Sequence, residues 1–124
     1  MNGNKFLLDT NAVIAALNQR LVLPNAKYYV SAITEIEILS FPALEANDEH
    51  QIKLFINDIN LVELTRDIKQ QTIILRRKKR LKLPDAIICA TAISTNAILV
   101  TDDIRLHNNN QTKTIKLAEL LDTE

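Results

Sequence analysis

The hydrophobic positions of the chain form short apolar runs that alternate with stretches of helical spacing. Runs of about four to eight apolar residues are typical of buried strands, whereas apolar residues three and four positions apart are typical of one helix face. The predicted strands are Lys5–Asp9, Lys27–Ser31, Ile59–Leu64, Ala97–Thr101 and Thr112–Ile115. The first predicted helix is capped by Thr10 or Asn11, and the next two cover Thr34–Ser40 and Asp48–Asn57. Thr65 is predicted to cap a longer helix that extends to about Arg80, and two further helices cover Asp85–Thr95 and Leu117–Leu121.

The alternation of strands with single or paired helices predicts an α/β fold in which a parallel sheet carries helices on both faces. Pro84 suits the first turn of the helix Asp85–Thr95, which is apolar almost all round and is therefore expected to be buried. In such sheets, ligand sites lie beyond the carboxyl ends of the strands. The search for chemistry therefore concentrates on the residues that follow each strand.

The composition favours one soluble domain that covers residues 1–124, because 124 residues with 47% hydrophobic content suffice for one core. The first residues carry Asp9 inside their apolar stretch, so neither a signal peptide nor a membrane span is expected, and the predicted location is the cytoplasm. The single cysteine, Cys89, lies in an apolar run and is interpreted as a buried structural residue. A formal net charge of zero means that any binding of phosphate has to be local. The only glycine, Gly3, rules out a P-loop and a G-x-G-x-x-G fingerprint.

Four acidic residues stand where a site at that sheet edge would need them. Asp9 and Asp103 follow predicted strands, Glu37 lies in the helix after the second strand, and Asp85 opens the buried helix. Carboxylates packed within about 4–6 Å repel each other unless a cation compensates them. Oxygen ligands without nearby His or Cys favour Mg²⁺ or Mn²⁺ over Zn²⁺. A metal that activates water beside a spare carboxylate fits hydrolysis of a phosphodiester.

Each acidic residue also has a structural interpretation. Asp9 suits a helix N-cap, and Asp85 after Pro84 suits the positive end of a helix dipole. Thr34 and Glu37 match the S/T-x-x-E capping box, and Asp103 suits a turn. Any one of these residues is explained equally well without a site. Their shared placement at one sheet edge favours the acidic pocket.

Four segments resemble the PIN domain family, and in particular the toxin ribonucleases of VapBC toxin–antitoxin systems. They are Phe6-Leu7-Leu8-Asp9-Thr10-Asn11, Ser31-Ala32-Ile33-Thr34 followed by Glu37, Leu81-Lys82-Leu83-Pro84-Asp85-Ala86-Ile87-Ile88, and Leu99-Val100-Thr101-Asp102-Asp103. Together they extend through nearly the whole chain. The resemblance implies a three-layer α/β/α sandwich around a parallel sheet of four or five strands.

The same resemblance assigns the site. It implies that Asp9, Glu37, Asp85 and Asp103 are the catalytic and metal-binding residues, with Thr101 and Asn11 as auxiliary residues. It further implies endoribonuclease activity that depends on Mg²⁺ or Mn²⁺, an RNA substrate, a VapB-type antitoxin that covers the site, and a homodimer. Glu37 is chosen over Glu35 for the T-x-x-E spacing, since Glu35 would point about 200° away on a helix. Asp103 is chosen over Asp102 for the T-x-D spacing, and that choice stays open.

The basic run Arg76-Arg77-Lys78-Lys79-Arg80 ends a predicted helix. It suits a solvated last turn that complements the helix dipole. Alternatively, Arg76, Arg77, Lys79 and Arg80 bind the RNA backbone.

Two other functions compete with a metal-dependent nuclease. A phosphatase of the haloacid-dehalogenase type would use Asp9 as a covalent nucleophile, but it needs a second Asp where this chain has Asn11, which cannot exchange a proton. A non-catalytic protein-binding module would make the acidic residues structural. His50 and His107 lack metal-ligand spacing and receive no role.

Overall fold

The computed structural model describes residues 4–107 and 112–123. Within this part of the chain, strands alternate with helices as the sequence predicts. The strands are β1 Lys5–Leu8, β2 Lys27–Ser31, β3 Asn60–Val62, β4 Ile98–Val100 and β5 Thr114–Ile115. The helices are α1 Thr10–Asn18, α2 Ala32–Leu39, α3 Ala46–Asp58, α4 Arg66–Lys79, α5 Leu83–Thr95, α6 Ile104–His107 and α7 Leu117–Leu121.

The strands form one five-stranded sheet in the order β3-β2-β1-β4-β5. Every neighbouring pair is parallel. Chain order runs outwards from β1 in both directions, so β1 and β4, which lie far apart in sequence, become neighbours at the centre. The predicted α/β fold with a parallel sheet is confirmed.

Side chains on either face of the sheet pack into two hydrophobic clusters. Phe6 and Leu8 point into one cluster, together with residues of α1, α3 and α7, and Leu7 points into the other, together with residues of α4 and α5. The alternation follows from the period of two along a strand. Helix α5 is the most deeply buried, with Ala86, Cys89 and Ala90 at 0% exposure. The sheet is therefore covered on both faces, and its edges and ends remain for a site.

Three helices begin at a side-chain cap that the strand-to-helix turn supplies. Asp9 caps α1, Ser31 caps α2 and Thr65 caps α4, each accepting a hydrogen bond from a backbone N–H in the first turn. The cap predicted at Thr10 or Asn11 is wrong, because the Asp9 side chain already takes that role one residue earlier. Because Ser31 is the cap, α2 begins before the predicted Thr34. The capping box considered for Thr34 and Glu37 is therefore wrong, and Glu37 lies in the second turn of the helix.

Other element boundaries also differ from the prediction. Strand β3 is shorter than the predicted Ile59–Leu64, and helix α3 begins at Ala46 rather than Asp48. Helix α6 was not predicted, since its four residues are too few for a periodic pattern. No helix among residues 4–107 and 112–123 is long and apolar enough to cross a membrane.

Candidate active site

The centre of the sheet places Asp9 beside the end of β4. Leu8 and Val100 are register partners, and the backbone N–H of Asp9 donates to the carbonyl oxygen of Val100 at 3.1 Å. Thr101 continues β4 and donates its own N–H to the carbonyl of Ile115 at 2.9 Å. Asp9 and Thr101 therefore lie at the carboxyl end of adjacent parallel strands, where ligand sites of such sheets are found.

Asp9 is a buried carboxylate, with 5% of its surface exposed. Its Oδ1 accepts a hydrogen bond of 2.8 Å from the backbone N–H of Ala12, which caps α1. Burial raises the pKa of Asp9, and the charges of Asp102 and Asp103 add to the increase, while the hydrogen bonds from Thr101 and Ala12 oppose it. The N-cap role considered for Asp9 is confirmed, and the charges of Asp102 and Asp103 also act on the same carboxylate.

Asp85 and Asp103 are joined by a cation that the sequence had not indicated. The guanidinium of Arg105 lies 2.7 Å from Oδ2 of Asp103 and 3.9 Å from Oδ2 of Asp85. The hydrogen bond from Arg105 holds the pKa of Asp103 below its ordinary value. Burial raises the pKa of Asp85, with Arg105 opposing the shift and the charges of Asp103 and Glu37 reinforcing it. These effects connect Asp85 electrostatically to two of the other predicted acidic residues.

Glu37 reaches the same region from α2. The hydroxyl of Thr10 donates to Oε1 of Glu37 at 2.6 Å, and the hydroxyls of Thr10 and Thr34 lie 3.0 Å apart. Glu37 acts on the pKa of Asp85, whereas Glu35 acts on that of Lys53. Lys53 belongs to α3, so Glu35 and Glu37 lie near different parts of the molecule.

Asp102 and Asp103 are also used differently. Oδ1 of Asp102 accepts a hydrogen bond of 3.0 Å from the backbone N–H of Leu117, at the start of α7. Oδ1 of Asp103 accepts from the backbone N–H of Arg105 at 3.0 Å, so Asp103 also fulfils the turn role considered for it. Asp102 is thus committed to anchoring α7, while Asp103 shares a cation with Asp85.

The donor set suits a hard divalent cation by its chemistry. All four predicted acidic side chains offer oxygen, and burial raises the pKa of Asp9 and of Asp85, an effect that a bound divalent cation would offset. As the side chains stand, no group of three or more His, Cys, Asp or Glu residues in the described part of the chain is arranged to hold a metal ion. In this arrangement, Arg105 is bonded to Asp103 and Thr10 is bonded to Glu37.

Other candidates from the sequence lie apart from these contacts or serve the fold. Asn11 is exposed on α1, and Arg76, Arg77, Lys79 and Arg80 are exposed at the end of α4 without an ion pair to any described residue. Cys89 is fully buried, and burial raises the pKa of its thiol to about 12, which fits the structural interpretation.

His107 is half-buried, and its ring nitrogens contact the carbonyl oxygen of Thr101 and, at 2.6 Å, the hydroxyl of Thr114. These contacts join the segment after β4 to β5. The sequence analysis assigned His107 no role, and the structure gives it this bridging position.

Three residues beside the site were missed by sequence reasoning: Arg105, Thr10 and Thr34. Thr10 directly follows Asp9, but no local sequence pattern predicts its contact with Glu37, because that contact forms between α1 and α2. Arg105 lies two residues after Asp103, a separation at which a side chain folds back only in a tight turn. A basic residue so close to the strand-end acids was the one available signal.

A family comparison supplies the decisive observation. The PIN domain model matches residues 6–110, most of the chain. The chain belongs to the PIN domain family. No curated protein sequence matches it significantly.

Solved structures with the same fold cover nearly the whole PIN domain. VapBC2 from Rickettsia felis, bound to a DNA fragment from its promoter, aligns with TM-score 0.76 and 17% identity, over 90% of this chain and 98% of that chain. A toxin–antitoxin complex from Klebsiella pneumoniae gives TM-score 0.71 and 24% identity, over 90% and 96% of the two chains. FitAcB from Neisseria gonorrhoeae gives TM-score 0.68 and 19% identity, over 93% and 99%. At these identities the likeness establishes a shared fold.

Proposed function

We propose that this PIN domain is a metal-dependent endoribonuclease that acts in the cytoplasm as the toxin of a type II toxin–antitoxin pair. PIN domains are typically nucleases and generally use a divalent metal. The observation that carries the proposal is geometric. The Arg105 guanidinium lies 2.7 Å from Asp103 and 3.9 Å from Asp85, and Asp9 lies beside the end of β4 at the carboxyl edge of the sheet. Acidic residues gathered at such an edge are typical of a functional site.

Asp9, Asp85 and Asp103 are the proposed metal ligands, with Glu37 completing the acidic set. Mg²⁺ or Mn²⁺ bound there would neutralise the carboxylates and the charge that develops on the scissile phosphate, and would make water a better nucleophile. Asp102 is left out of this set because it holds the start of α7.

The chain's own residues prepare the attacking water and the carboxylates. The hydroxyl of Thr10 fixes one oxygen of Glu37 and leaves the other to orient water. Thr101 bonds to Asp9 through its hydroxyl and accepts the N–H of Asp103 at 3.1 Å, so one buried side chain positions two acids.

The RNA backbone has to be held by local positive charge, because the net charge is zero. Lys82 precedes Asp85 and acts on its pKa, so it is the cation of the α4–α5 connection coupled to the site. Arg76, Arg77, Lys79 and Arg80 precede it on the exposed end of α4. We assign these residues to contacts with RNA phosphates outside the acidic site.

The toxin assignment rests on the relatives and on an apolar surface. Structures that share the fold were solved as VapBC and other toxin–antitoxin complexes. This chain exposes Ile36 and Leu64 at a small depression of about 70 Å³. Its lining residues are Ser31, Ala32, Ile33, Ile36, Val62, Leu64, Ile87 and Thr91. Exposed apolar residues around a groove suit a protein partner, here a VapB-type antitoxin, with a homodimer as the toxin's own assembly.

The proposal is tested by coupling growth to the acidic site. Expression of the wild type should arrest growth, Asp85→Asn should not, and co-expression of the small protein encoded next to the gene should restore growth. An equally toxic Asp85→Asn variant would contradict the nuclease assignment. Harmless expression of the wild type, with RNA cleavage retained by the purified protein, would contradict the toxin assignment alone.

The phosphatase alternative loses its basis in this fold. Asn11 is exposed on α1, and the family is the PIN domain family. A pure binding module would bind the antitoxin and cleave no RNA, and the same experiments would reveal it.

A further inference from the structure

Arg105 makes three hydrogen bonds to one carboxylate. Its Nε lies 3.1 Å from Oδ1 of Asp103 and its terminal nitrogen 2.7 Å from Oδ2, which is the two-pronged arrangement of a guanidinium on a carboxylate. The backbone N–H of Arg105 adds a third bond to Oδ1 at 3.0 Å. Both oxygens of Asp103 are therefore occupied by a residue two positions along the chain.

The same terminal nitrogen also faces the second acidic side chain. It lies 3.9 Å from Oδ2 of Asp85, so one guanidinium group spans the carboxylates of α5 and of the segment after β4. The Asp85 and Asp103 side chains are 22% and 27% exposed, while the Arg105 side chain is 65% exposed. The cation thus closes the acidic pair from the solvent side.

We propose that Arg105 is a built-in cation that holds Asp85 and Asp103 together in the metal-free protein and competes with the divalent ion for them. This inference rests on the proposed function, since it concerns the same carboxylates. A positive charge attached to the chain screens the acids whenever no metal is bound, so the fold does not depend on metal to relieve their repulsion. The divalent ion binds only after the guanidinium group withdraws.

The exposure of Arg105 makes this exchange easy. Ion pairs in solvent contribute little net free energy, and α6 has only four residues, so moving the side chain disturbs little structure. Competition of this strength should weaken metal binding by about three- to tenfold relative to a chain without the guanidinium group. Arg105 would then set the metal concentration at which the acidic site fills.

The test measures binding of Mn²⁺ to the purified, RNA-free protein, by the loss of the free-ion electron paramagnetic resonance signal. Arg105→Gln removes the guanidinium group, and Arg105→Lys keeps the charge without the two parallel hydrogen bonds. Arg66→Gln is the matched control, because Arg66 is exposed at the start of α4 and its loss changes the net charge equally. A second readout follows the Nε–H resonance of Arg105 by nuclear magnetic resonance during titration with diamagnetic Mg²⁺.

Arg105→Gln should bind Mn²⁺ about three- to tenfold more tightly than the wild type, with Arg105→Lys between them and Arg66→Gln close to the wild type. The Arg105 resonance should shift in step with Mg²⁺ binding. Equal affinities for wild type and Arg105→Gln, or an Arg105 resonance that stays constant at saturating Mg²⁺, would overturn the inference.

Cleavage of RNA by the same samples separates this inference from the proposed function. Competition for Mn²⁺ without RNA cleavage would uphold the role of Arg105 and reject the nuclease. If neither the wild type nor any variant bound Mn²⁺, the inference and the metal-dependent function would both be rejected.

Discussion

The backbone N–H of Asp9 donates a hydrogen bond of 3.1 Å to the carbonyl oxygen of Val100. This bond extends the pairing of β1 with β4 by one step and fixes Asp9 beside Thr101, although the two residues are far apart in sequence. The Asp9 carboxylate then turns inwards to cap α1 and to accept a hydrogen bond from Thr101. The pairing of β1 with β4 thereby holds Asp9 in a buried position that is unfavourable for an ionised carboxylate.

Asp9 gives the stability of the metal-free protein a pH dependence of known sign. Its folded-state pKa is raised above the ordinary value of 3.8, chiefly by burial. Folded Asp9 therefore binds its proton more tightly than Asp9 in the unfolded chain. Above the folded-state pKa, the ionised side chain lowers the free energy of unfolding, and this destabilisation disappears as the pH falls to about 3.8. Asn in its place can still cap α1 and cannot ionise.

Asp9→Asn should therefore be more stable than the wild type near neutral pH, and the difference should shrink in acid. Urea denaturation in the presence of a chelator measures both. Glu63→Gln, which alters an exposed acid before α4, should show no such trend. A difference that grows as the pH falls would be the wrong sign for a destabilising carboxylate.

Thr101 is predicted to couple stability to the site. Its side chain is fully buried, and its Oγ1 accepts the N–H of Asp103 while the hydroxyl also bonds to Asp9. Thr101→Val keeps the shape of the side chain but removes the hydrogen bonds to the N–H of Asp103 and to the Asp9 carboxylate. The free energy of unfolding should therefore fall by about 1–3 kcal/mol. Thr101→Val should also slow RNA cleavage, whereas Thr101→Ser, which keeps the hydroxyl, should retain most of the wild-type rate. An equally slow rate in both variants would show that packing of the methyl group matters more than the hydroxyl.

Thr10 is predicted to affect the reaction rate through Glu37. The bond of 2.6 Å from its hydroxyl holds the glutamate, and Thr10 itself is only half-buried. Thr10→Val should lower kcat about tenfold with little change in KM, since the effect is on orientation. Thr10→Ser serves as the control. A rise in KM alone would indicate that Thr10 binds RNA and does not position Glu37.

The end of α4 is predicted to contribute to RNA affinity without contributing to chemistry. Replacing Arg76, Arg77 and Lys79 with Gln should weaken single-stranded RNA binding and reduce its dependence on salt, by about 0.7 in the logarithmic slope for each RNA phosphate that the variant no longer neutralises. These residues are exposed, so folding should be unaffected. An unchanged salt slope would assign the run to capping α4 alone.

The sequence predicted the fold well because its signals are local. Runs such as that of β1 and the caps at Asp9 and Thr65 depend on residues a few positions apart. The start of α2 was misplaced because Ser31 and Thr34 both suit an N-cap, and only the end of β2 decides between them. Helix α6 offered no periodicity, being a single turn.

The candidate site was less predictable in its pairings. Strand ends indicated which acids share an edge, and the parallel sheet agrees with that logic. The bridge from Arg105 to Asp85 and the bond from Thr10 to Glu37 depend on how α5, α6, α1 and α2 pack, which local sequence does not encode. The choice of Asp103 over Asp102 as the proposed metal ligand gains support from the hydrogen bond that the backbone N–H of Leu117 donates to Asp102. This contact also joins residues that are distant in sequence.

The central claim is tested most directly by incubating purified protein with RNA and Mg²⁺ and sequencing the new RNA ends. The wild type should produce discrete ends that disappear with a chelator, whereas Asp9→Asn and Asp85→Asn should reduce cleavage at least about 100-fold while remaining folded. Cleavage that persists unchanged in both purified variants would show that these carboxylates are not the active site. Absence of new ends from the folded wild type with Mg²⁺ or Mn²⁺, on cellular RNA, would contradict the ribonuclease itself.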